Sequence, residues 1–215
     1  QSEINRKEQW QEKITKKDKD AVKKAKLNFE KAEKEKAEIV NNAIYNNAFE
    51  WRFEFPEVLS EEGNYIGFDA VIGNPPYVQM QSMKEMSKIY KTFNYTTFQS
   101  TGDLYALFYE KGEQVLTNNG YLSFITGSAW MRANYGKSLR NFFIDKTAII
   151  ELIDFSDCEI FDSATVLTNI MFFQKTTENT QAKAIRFTRK DQHLLADLKN
   201  VFDEKNIDLE NLTEN

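Results

Sequence analysis

A short apolar run closed by a rigid polar turn constrains the fold of this chain more than any other feature. The run FDAVIG, from Phe68 to Gly73, is β-branched in part and ends on glycine, which predicts a buried strand that stops abruptly. Asn74-Pro75-Pro76-Tyr77 follows directly. Because proline fixes φ and lacks an N–H, this turn is stiff and its backbone carbonyls are bare. Ligands of open α/β sheets bind beyond the carboxyl ends of strands, where this tetrad lies.

The residue types of the tetrad suit a planar heterocycle that carries an amino group. Asn74 offers a carbonyl acceptor on a short arm. Tyr77 offers a flat face on which a base can stack. Adenine is the obvious ligand of this kind. The alternative interpretation is a tight structural turn, which the segments around the tetrad disfavour.

The segment FDAVIGNPPYV resembles the signature of DNA adenine (6-amino) methyltransferases of the NPPY class, and more closely that of the large fused type IIG (Eco57I-like) restriction-modification enzymes. Other segments resemble the same group in the same order. They are the lead-in Trp51–Leu59, the helix and strand at 102–108 and 120–126, and the last strands at 150–155 and 159–173. The resemblance therefore covers residues 48–175, the catalytic half of a methyltransferase domain.

The resemblance implies a Rossmann-like class I methyltransferase sheet and a base flipped out of double-stranded DNA. The methyl group of S-adenosylmethionine would pass to the 6-amino group of that adenine, so positioning does most of the work. Asn74 and the Pro75 carbonyl would accept hydrogen bonds from the amino group. Tyr77 would stack on one face of the base and Phe161 on the other, although a plain core position is the alternative for Phe161. Asn74 and Pro76 would also touch the cofactor.

The family's main cofactor loop contains glycine and precedes the tetrad, but the sequence before residue 48 contains no glycine. We therefore expect a piece of a longer polypeptide that holds only the later strands of the sheet. By itself it should bind S-adenosylmethionine weakly and be inactive. The expected partners are DNA and the remainder of the parent, namely the cofactor loop, a target recognition domain and, if the parent cleaves DNA, an upstream nuclease.

Three parts are predicted along the chain. Residues 1–48 are rich in Lys, Glu and Ala without Gly or Pro, which predicts a long charged helix or helical hairpin that serves as an arm or connector. Residues 49–175 alternate strand and helix patterns, which predicts an α/β sheet. Residues 176–215 would form a C-terminal extension towards the missing recognition domain.

Individual elements follow from periodicity. Strands are predicted at residues 66–72, 121–126, 148–155, 166–174 and 184–188, and the resemblance places the 166–174 strand antiparallel in an otherwise parallel sheet. Helices are predicted at residues 103–117, 135–145 and 191–202, with a left-handed cap at Asn118-Asn119-Gly120. Residues 78–101 are polar and predicted to be a mobile loop over the base or the DNA.

Composition argues against other kinds of chemistry. One cysteine, Cys158, and one histidine, His193, disfavour a disulfide framework, a Ser-His-Asp or Cys-His device and a zinc site. No apolar stretch approaches the ~20 residues of a membrane span, and the N-terminus lacks a signal-peptide core, which predicts a cytoplasmic protein without membrane contact.

The net charge of −5 hides an asymmetry, because residues 1–38 carry 12 Lys and Arg against 9 Asp and Glu. Phosphate contacts supply most affinity in DNA binding, so the main DNA grip is expected outside this chain. Arg132, Lys137 and Arg140 are the local basic candidates, or else a solvated helix face.

The sequence leaves other functions open. A non-catalytic DNA-binding or assembly module of a restriction or phage-defence complex could keep the tetrad as a turn. An RNA or protein amino-methyltransferase could use a related tetrad, although the lead-in at Trp51–Leu59 favours DNA.

Overall fold

The fold is given by a computed structural model that describes residues 15–41, 49, 51–155, 158–161, 166–178 and 181–209. The chain forms two units, Gln1–Pro56 and Glu57–Asn215. The first contains helix α1 (Lys16–Asn41) and the single turn α2 (Trp51–Glu54).

Helix α1 starts at a reciprocal cap. The Asp18 carboxylate accepts hydrogen bonds from the N–H and the hydroxyl of Thr15, at 2.9 and 2.8 Å. The Asp18 N–H donates back to the Thr15 hydroxyl at 3.3 Å. With no Gly or Pro in its 26 residues, the helix continues without a break. The predicted long charged helix is thus confirmed, while residues 1–14 and 42–48 lie outside the described residues.

The second unit is built on a six-stranded sheet in the order β1-β2-β4-β3-β5-β6. The strands are β1 (Phe68–Gly73), β2 (Leu116–Gly127), β3 (Ala148–Asp154), β4 (Thr168–Gln174), β5 (Ala182–Arg186) and β6 (Ile207–Leu209). β1 is parallel to β2, and β3 is parallel to β5, whereas β4 is antiparallel to both of its neighbours and β6 is antiparallel to β5. The predicted α/β sheet and the antiparallel strand at residues 166–174 are confirmed, but the sheet is not otherwise parallel, because β6 is antiparallel as well.

Four α-helices and several 3₁₀ turns complete the described part of this unit. The α-helices are α3 (Lys84–Thr92), α4 (Tyr105–Val115), α5 (Lys137–Lys146) and α6 (Leu198–Lys205). The 3₁₀ segments are Pro56–Val58, Met80–Met83, Ala129–Met131, Asn134–Gly136 and Arg189–Asp197. None of the helices in the described residues is long and apolar enough to cross a bilayer.

Different elements cover the two faces of the sheet. On one face α4 and α5 bury a first core cluster, which includes Tyr105, Tyr109, Phe124, Phe143, Met171 and Phe173. On the other face the 189–197 turn and α6 bury a second core cluster, which includes Phe155, Cys158, Ile185, Phe187 and Phe202. Strand alternation separates the two, because Phe124 belongs to the first cluster while Ile125 packs against the second.

The predicted loop at residues 78–101 is wrong, because the segment contains a 3₁₀ turn and helix α3. A third cluster explains the order: Met80 is buried against Leu104 and Leu107 of the next segment, and Tyr90 of α3 packs on it. Polar composition predicts a loop here, but Met83 of the 3₁₀ turn and Tyr90 of α3 both pack on this cluster.

Two boundaries also differ from the prediction. Helix α4 ends at Val115, and Asn118-Asn119-Gly120 lies within β2, where Asn119 has φ of +63°. Within α4, Phe108 is 40% exposed, because Tyr105 and Tyr109 are the residues that turn towards the sheet. The helix predicted at 191–202 is a 3₁₀ segment followed by α6.

Candidate active site

The tetrad Asn74–Tyr77 emerges at the carboxyl end of β1, as predicted. Gly73 pairs with Phe124 in the neighbouring parallel strand, so the tetrad begins where the sheet stops supporting the chain. Asn74 and Pro76 are exposed, whereas Pro75 is buried and Tyr77 is half-buried. The alternation leaves the Asn74 side chain accessible at the edge while Pro75 fixes the turn to the protein.

The chain that leaves the tetrad is also held in place. The Leu104 N–H donates to the Val78 carbonyl at 2.8 Å, and the Met80 N–H donates to the Gly102 carbonyl at 2.9 Å. These bonds form a one-rung antiparallel bridge between Gln79 and Asp103. Tyr77 is therefore fixed from both sides, by β1 before the tetrad and by this bridge after it.

Tyr77 and Phe161 lie side by side. Their ring centroids are 6.3 Å apart and their planes are inclined by 58°. A carbon–carbon contact distance of about 3.5–4.0 Å means that a base between two parallel rings needs a centroid separation of roughly 7–8 Å. The pair is thus in direct aromatic contact, and it must separate by roughly 1 Å and become parallel to hold a base.

The Tyr77 hydroxyl is buried and has no hydrogen-bond partner among the described residues. Burial raises the pKa of Tyr77 above its ordinary value, so the ring stays neutral at physiological pH. The ring itself packs against the first core cluster. Tyr77 therefore offers an apolar face and no directed polar contact.

Beside Tyr77 a buried polar network crosses from β2 to β4. The Asn169 side-chain oxygen accepts hydrogen bonds from the Trp130 indole N–H at 3.1 Å and from the Thr126 hydroxyl at 3.3 Å. The hydroxyls of Thr126 and Tyr109 lie 3.0 Å apart. Thr126 is two positions beyond Phe124 and so shares its face of the sheet. The network thus lies under the edge from which the tetrad emerges.

This network was not predicted from the sequence. Thr168-Asn169 opens an otherwise apolar strand, which was the one available signal, since polar residues at such positions need partners when buried. The Asn169 side-chain amide nitrogen has no hydrogen-bond partner within the described part of the chain. The two donors to the Asn169 side-chain oxygen, Thr126 and Trp130, are distant from Asn169 in sequence, so only the fold brings the three residues together.

Asp103 joins two tyrosines next to the tetrad. Its carboxylate accepts hydrogen bonds from the hydroxyls of Tyr105 and Tyr135, at 2.9 and 3.0 Å. Burial and the negative charge of Asp103 raise the pKa of both tyrosines. Asp103 therefore braces the segment that bridges to Gln79.

The remaining predicted polar residues have varied surroundings. Arg140 donates to the carbonyls of Trp130 and Ala133, at 2.6 and 3.1 Å, and so braces the turn before α5. Arg132 and Lys137 are exposed, His193 is exposed and Cys158 is buried. The described residues include no group of three or more His, Cys, Asp or Glu placed to hold a metal ion.

A cofactor of the expected kind would have little to rest on here. Asn74 and Pro76 are exposed and could contact it. The described ranges contain no glycine-rich loop beside the tetrad. Gly73 lies against the Phe124 ring, and a Cβ added at Gly73 would be 3.1 Å from the nearest ring carbon. The residues described here therefore do not form a glycine-rich cofactor cradle beside the tetrad.

Comparison with known proteins identifies relatives. The family model described as Eco57I restriction-modification methylase matches residues 2–161. The type II restriction enzyme and methyltransferase RM.Eco57I of Escherichia coli is 31% identical over 139 residues, which are 60% of this chain and 14% of that protein. The type II methyltransferase M.BstVI of Geobacillus stearothermophilus is 31% identical over 112 residues, 52% of this chain and 20% of that protein. The chain thus spans a fifth or less of these two relatives.

Solved structures with a related arrangement were also found. A cryo-EM structure of a DrdV–DNA complex has a TM-score of 0.49 at 16% identity, over 66% of this chain and 17% of that one. The methyltransferase subunit of a type I restriction-modification system from Streptococcus thermophilus has a TM-score of 0.45 at 18% identity, over 65% of this chain and 32% of that one.

Proposed function

The chain belongs to the Eco57I restriction-modification methylase family, and from this premise we propose that it carries the target-base site of an adenine-specific DNA methyltransferase. In this proposal a longer parent polypeptide of a cytoplasmic restriction-modification system flips an adenine out of double-stranded DNA. The base then enters the space between Tyr77 and Phe161.

One observation carries the proposal. Tyr77 and Phe161 are distant in sequence, and the family resemblance assigns them to opposite faces of one base. The fold puts their rings 6.3 Å apart, next to the exposed Asn74. A pair of plain core aromatics would not need to flank an exposed amide at a strand end, so the arrangement supports a base site.

The chemistry needs an amino group held in one orientation. The Asn74 side-chain oxygen and the Pro75 carbonyl accept hydrogen bonds from its two N–H groups. These hydrogen bonds turn the nitrogen lone pair out of the plane of the base. S-adenosylmethionine, when bound, supplies an electrophilic methyl group on a sulfonium. With that donor bound, the amino nitrogen would form the new N–C bond as the S–C bond broke, and one amino proton would leave to solvent. Orientation by Asn74 and the tetrad backbone is the protein's main contribution.

The uncovered part of the sheet supports a role for the rest of the parent. Ile72 is 86% exposed and Tyr121 is 42% exposed, on the face opposite the first core cluster. β1 pairs with β2 on one side, and none of the described strands pairs with its other edge. We propose that the cofactor-binding part of the parent covers this apolar face and edge, since exposed apolar strands of this kind are rare in finished sheets.

The test is nucleoside mass spectrometry on DNA incubated with the parent polypeptide and S-adenosylmethionine. We expect 6-methyladenine, and we expect Asn74→Ala to abolish it while the affinity for DNA stays nearly unchanged. Asn200→Ala, an exposed asparagine on α6, is the matched control. Parallel loss of DNA binding in Asn74→Ala would favour an assembly module instead. Methylation of RNA but not DNA would redirect the substrate assignment.

A further inference from the structure

The segment that carries Phe161 is pinned to the protein just before that residue. Cys158 is buried in the second core cluster. Its N–H donates to the Phe155 carbonyl at 2.8 Å, and its thiol donates to the Thr188 carbonyl at 3.0 Å. Ile160 packs against the same cluster. These contacts fix where the segment lies, although they do not by themselves fix the backbone of Glu159 between Cys158 and Ile160.

The backbone of Glu159, two positions before Phe161, is held by a single side-chain amide. The Glu159 N–H donates to the Gln192 side-chain oxygen at 2.9 Å, and the Gln192 side-chain nitrogen donates to the Glu159 carbonyl at 2.8 Å. The Gln192 amide thus pairs with the backbone as a neighbouring strand would. Only an amide side chain presents an acceptor and a donor side by side for this purpose. These two hydrogen bonds lie at the surface, as does the ion pair of Glu159 with Arg189 at 3.2 Å, which adds little because solvent screens it.

Gln192 is itself presented by an ordered turn. The Asp191 carboxylate accepts hydrogen bonds from the Thr188 N–H at 2.9 Å and from the Thr188 hydroxyl at 2.7 Å. This cap starts the 189–197 segment directly after β5. Leu194 and Leu195 then pack against the second core cluster. Gln192 is therefore connected to the sheet through β5 and to the core through its own turn.

The position of Gln192 in the chain separates it from the family site. The family match ends at residue 161, and Gln192 lies 31 positions later. Gln192, which lies outside the matched region, thus hydrogen-bonds the backbone of Glu159, two positions before the Phe161 ring that contacts Tyr77. Because Tyr77 lies on a stiff turn, the position of Phe161 sets the distance between the two rings.

We propose that Gln192 is a positioning residue that holds the Glu159 peptide and thereby sets Phe161 against the flipped base, an inference that rests on the proposed function. Gln192 makes no contact with the base. It limits how far the Phe161 ring moves when the Tyr77–Phe161 pair opens. Its loss should slow methyl transfer from the flipped state and leave DNA binding unchanged, since phosphate contacts dominate that affinity.

The test is single-turnover methylation by the parent polypeptide on DNA with one target site. Gln192→Met keeps the length and apolar contacts of the side chain but neither hydrogen bond, and Gln192→Ala is the second variant. We expect the methylation rate to fall about fivefold in each, with the dissociation constant for DNA within about twofold. Gln181→Ala, an exposed glutamine just before β5, is the matched control and should be unchanged.

A double-mutant cycle with Phe161→Ala separates positioning from general stability. If Gln192 acts through Phe161, Gln192→Met should cause no further loss in the Phe161→Ala background. An unchanged rate in Gln192→Met, or an equal loss in both backgrounds, would overturn the role of Gln192 while the methyltransferase assignment stands. Absence of methylation by the unmodified parent would overturn the proposed function, and this role with it.

Discussion

The ring of Tyr77 meets the ring of Phe161 at 6.3 Å between centroids, while the Tyr77 hydroxyl points into protein without a partner among the described residues. The ring and the hydroxyl can therefore be tested separately. Tyr77→Phe should keep the methylation rate within about twofold, since it removes an unpaired group. Tyr77→Ala should lower the methylation rate about 5- to 150-fold, the equivalent of 1–3 kcal/mol of base stacking. Comparable losses in the two variants would show that the hydroxyl matters and the stacking role is wrong.

Asn169 should be worth more to stability than an exposed asparagine. Asn169→Ala leaves the buried Trp130 indole N–H and the Thr126 hydroxyl without their acceptor. We expect a loss of about 1–3 kcal/mol in the free energy of unfolding, measured by urea denaturation. The control Asn200→Ala, which breaks one exposed bond to Asp197, should stay within about 0.5 kcal/mol.

Gly67 and Gly63 separate backbone strain from close contact. Both have positive φ, at +100° and +79°. A Cβ on Gly63 would meet nothing within 4 Å, whereas a Cβ on Gly67 would lie 2.7 Å from the Leu116 carbonyl carbon. Gly63→Ala should cost about 1–2 kcal/mol in unfolding free energy. Gly67→Ala should cost about 1–3 kcal/mol more, because the backbone of β2 must shift.

Only the Gly67 substitution should reach the active site. Gly67 immediately precedes β1, the strand that positions the tetrad, so a shift there moves Asn74 as well. We expect methylation by the parent to fall in Gly67→Ala and to persist in Gly63→Ala. Equal stability and activity in the two variants would mean that the loop before β1 adjusts without displacing the strand.

Alkaline pH should destabilise the second unit through its buried tyrosines. Burial raises the pKa of Tyr77, Tyr105 and Tyr109 in the folded state. The unfolded chain then loses these protons first, so stability is fully present below pH ~10 and falls as pH rises above it. Tyr109→Phe should make the fall shallower by up to about 1.4 kcal/mol per pH unit, a limit that is approached above the unfolded-state pKa of ~10. An unchanged slope in urea denaturation between pH 10 and 11 would contradict this.

Strands were the most predictable part of the fold. The β-branched run at Phe68–Gly73 and the apolar run at Thr168–Gln174 are each short apolar segments that predict a strand locally. Both form strands close to the expected bounds. Helix α3 was not predicted because only one of its residues, Tyr90, packs on the cluster of Met80, Leu104 and Leu107, and this cluster exists only after folding. The many polar residues at 78–101 predict a loop, and the few residues that join the cluster are too sparse to indicate a helix.

The candidate site was predictable to the extent that it is local. Asn74 and Tyr77 stand at a strand end, which one segment of sequence reveals. Asn169 and Gln192 could not be found in the same way, because each acts on groups that lie far from it along the chain. Their roles come from side-chain hydrogen bonds that only the fold makes possible.

Strand β4 is fourth in the chain, yet it lies between β2 and β3. During synthesis β2 and β3 are complete before β4 leaves the ribosome. The edge of each strand that pairs with β4 therefore has no hydrogen-bond partner during that time. Tyr121 finds its partner only when Gln174 has been made. At about 5–20 residues per second, β2 stays unpaired on that side for roughly 2–10 seconds. Slow translation through residues 128–174 therefore prolongs the period in which nascent chains can associate edge to edge.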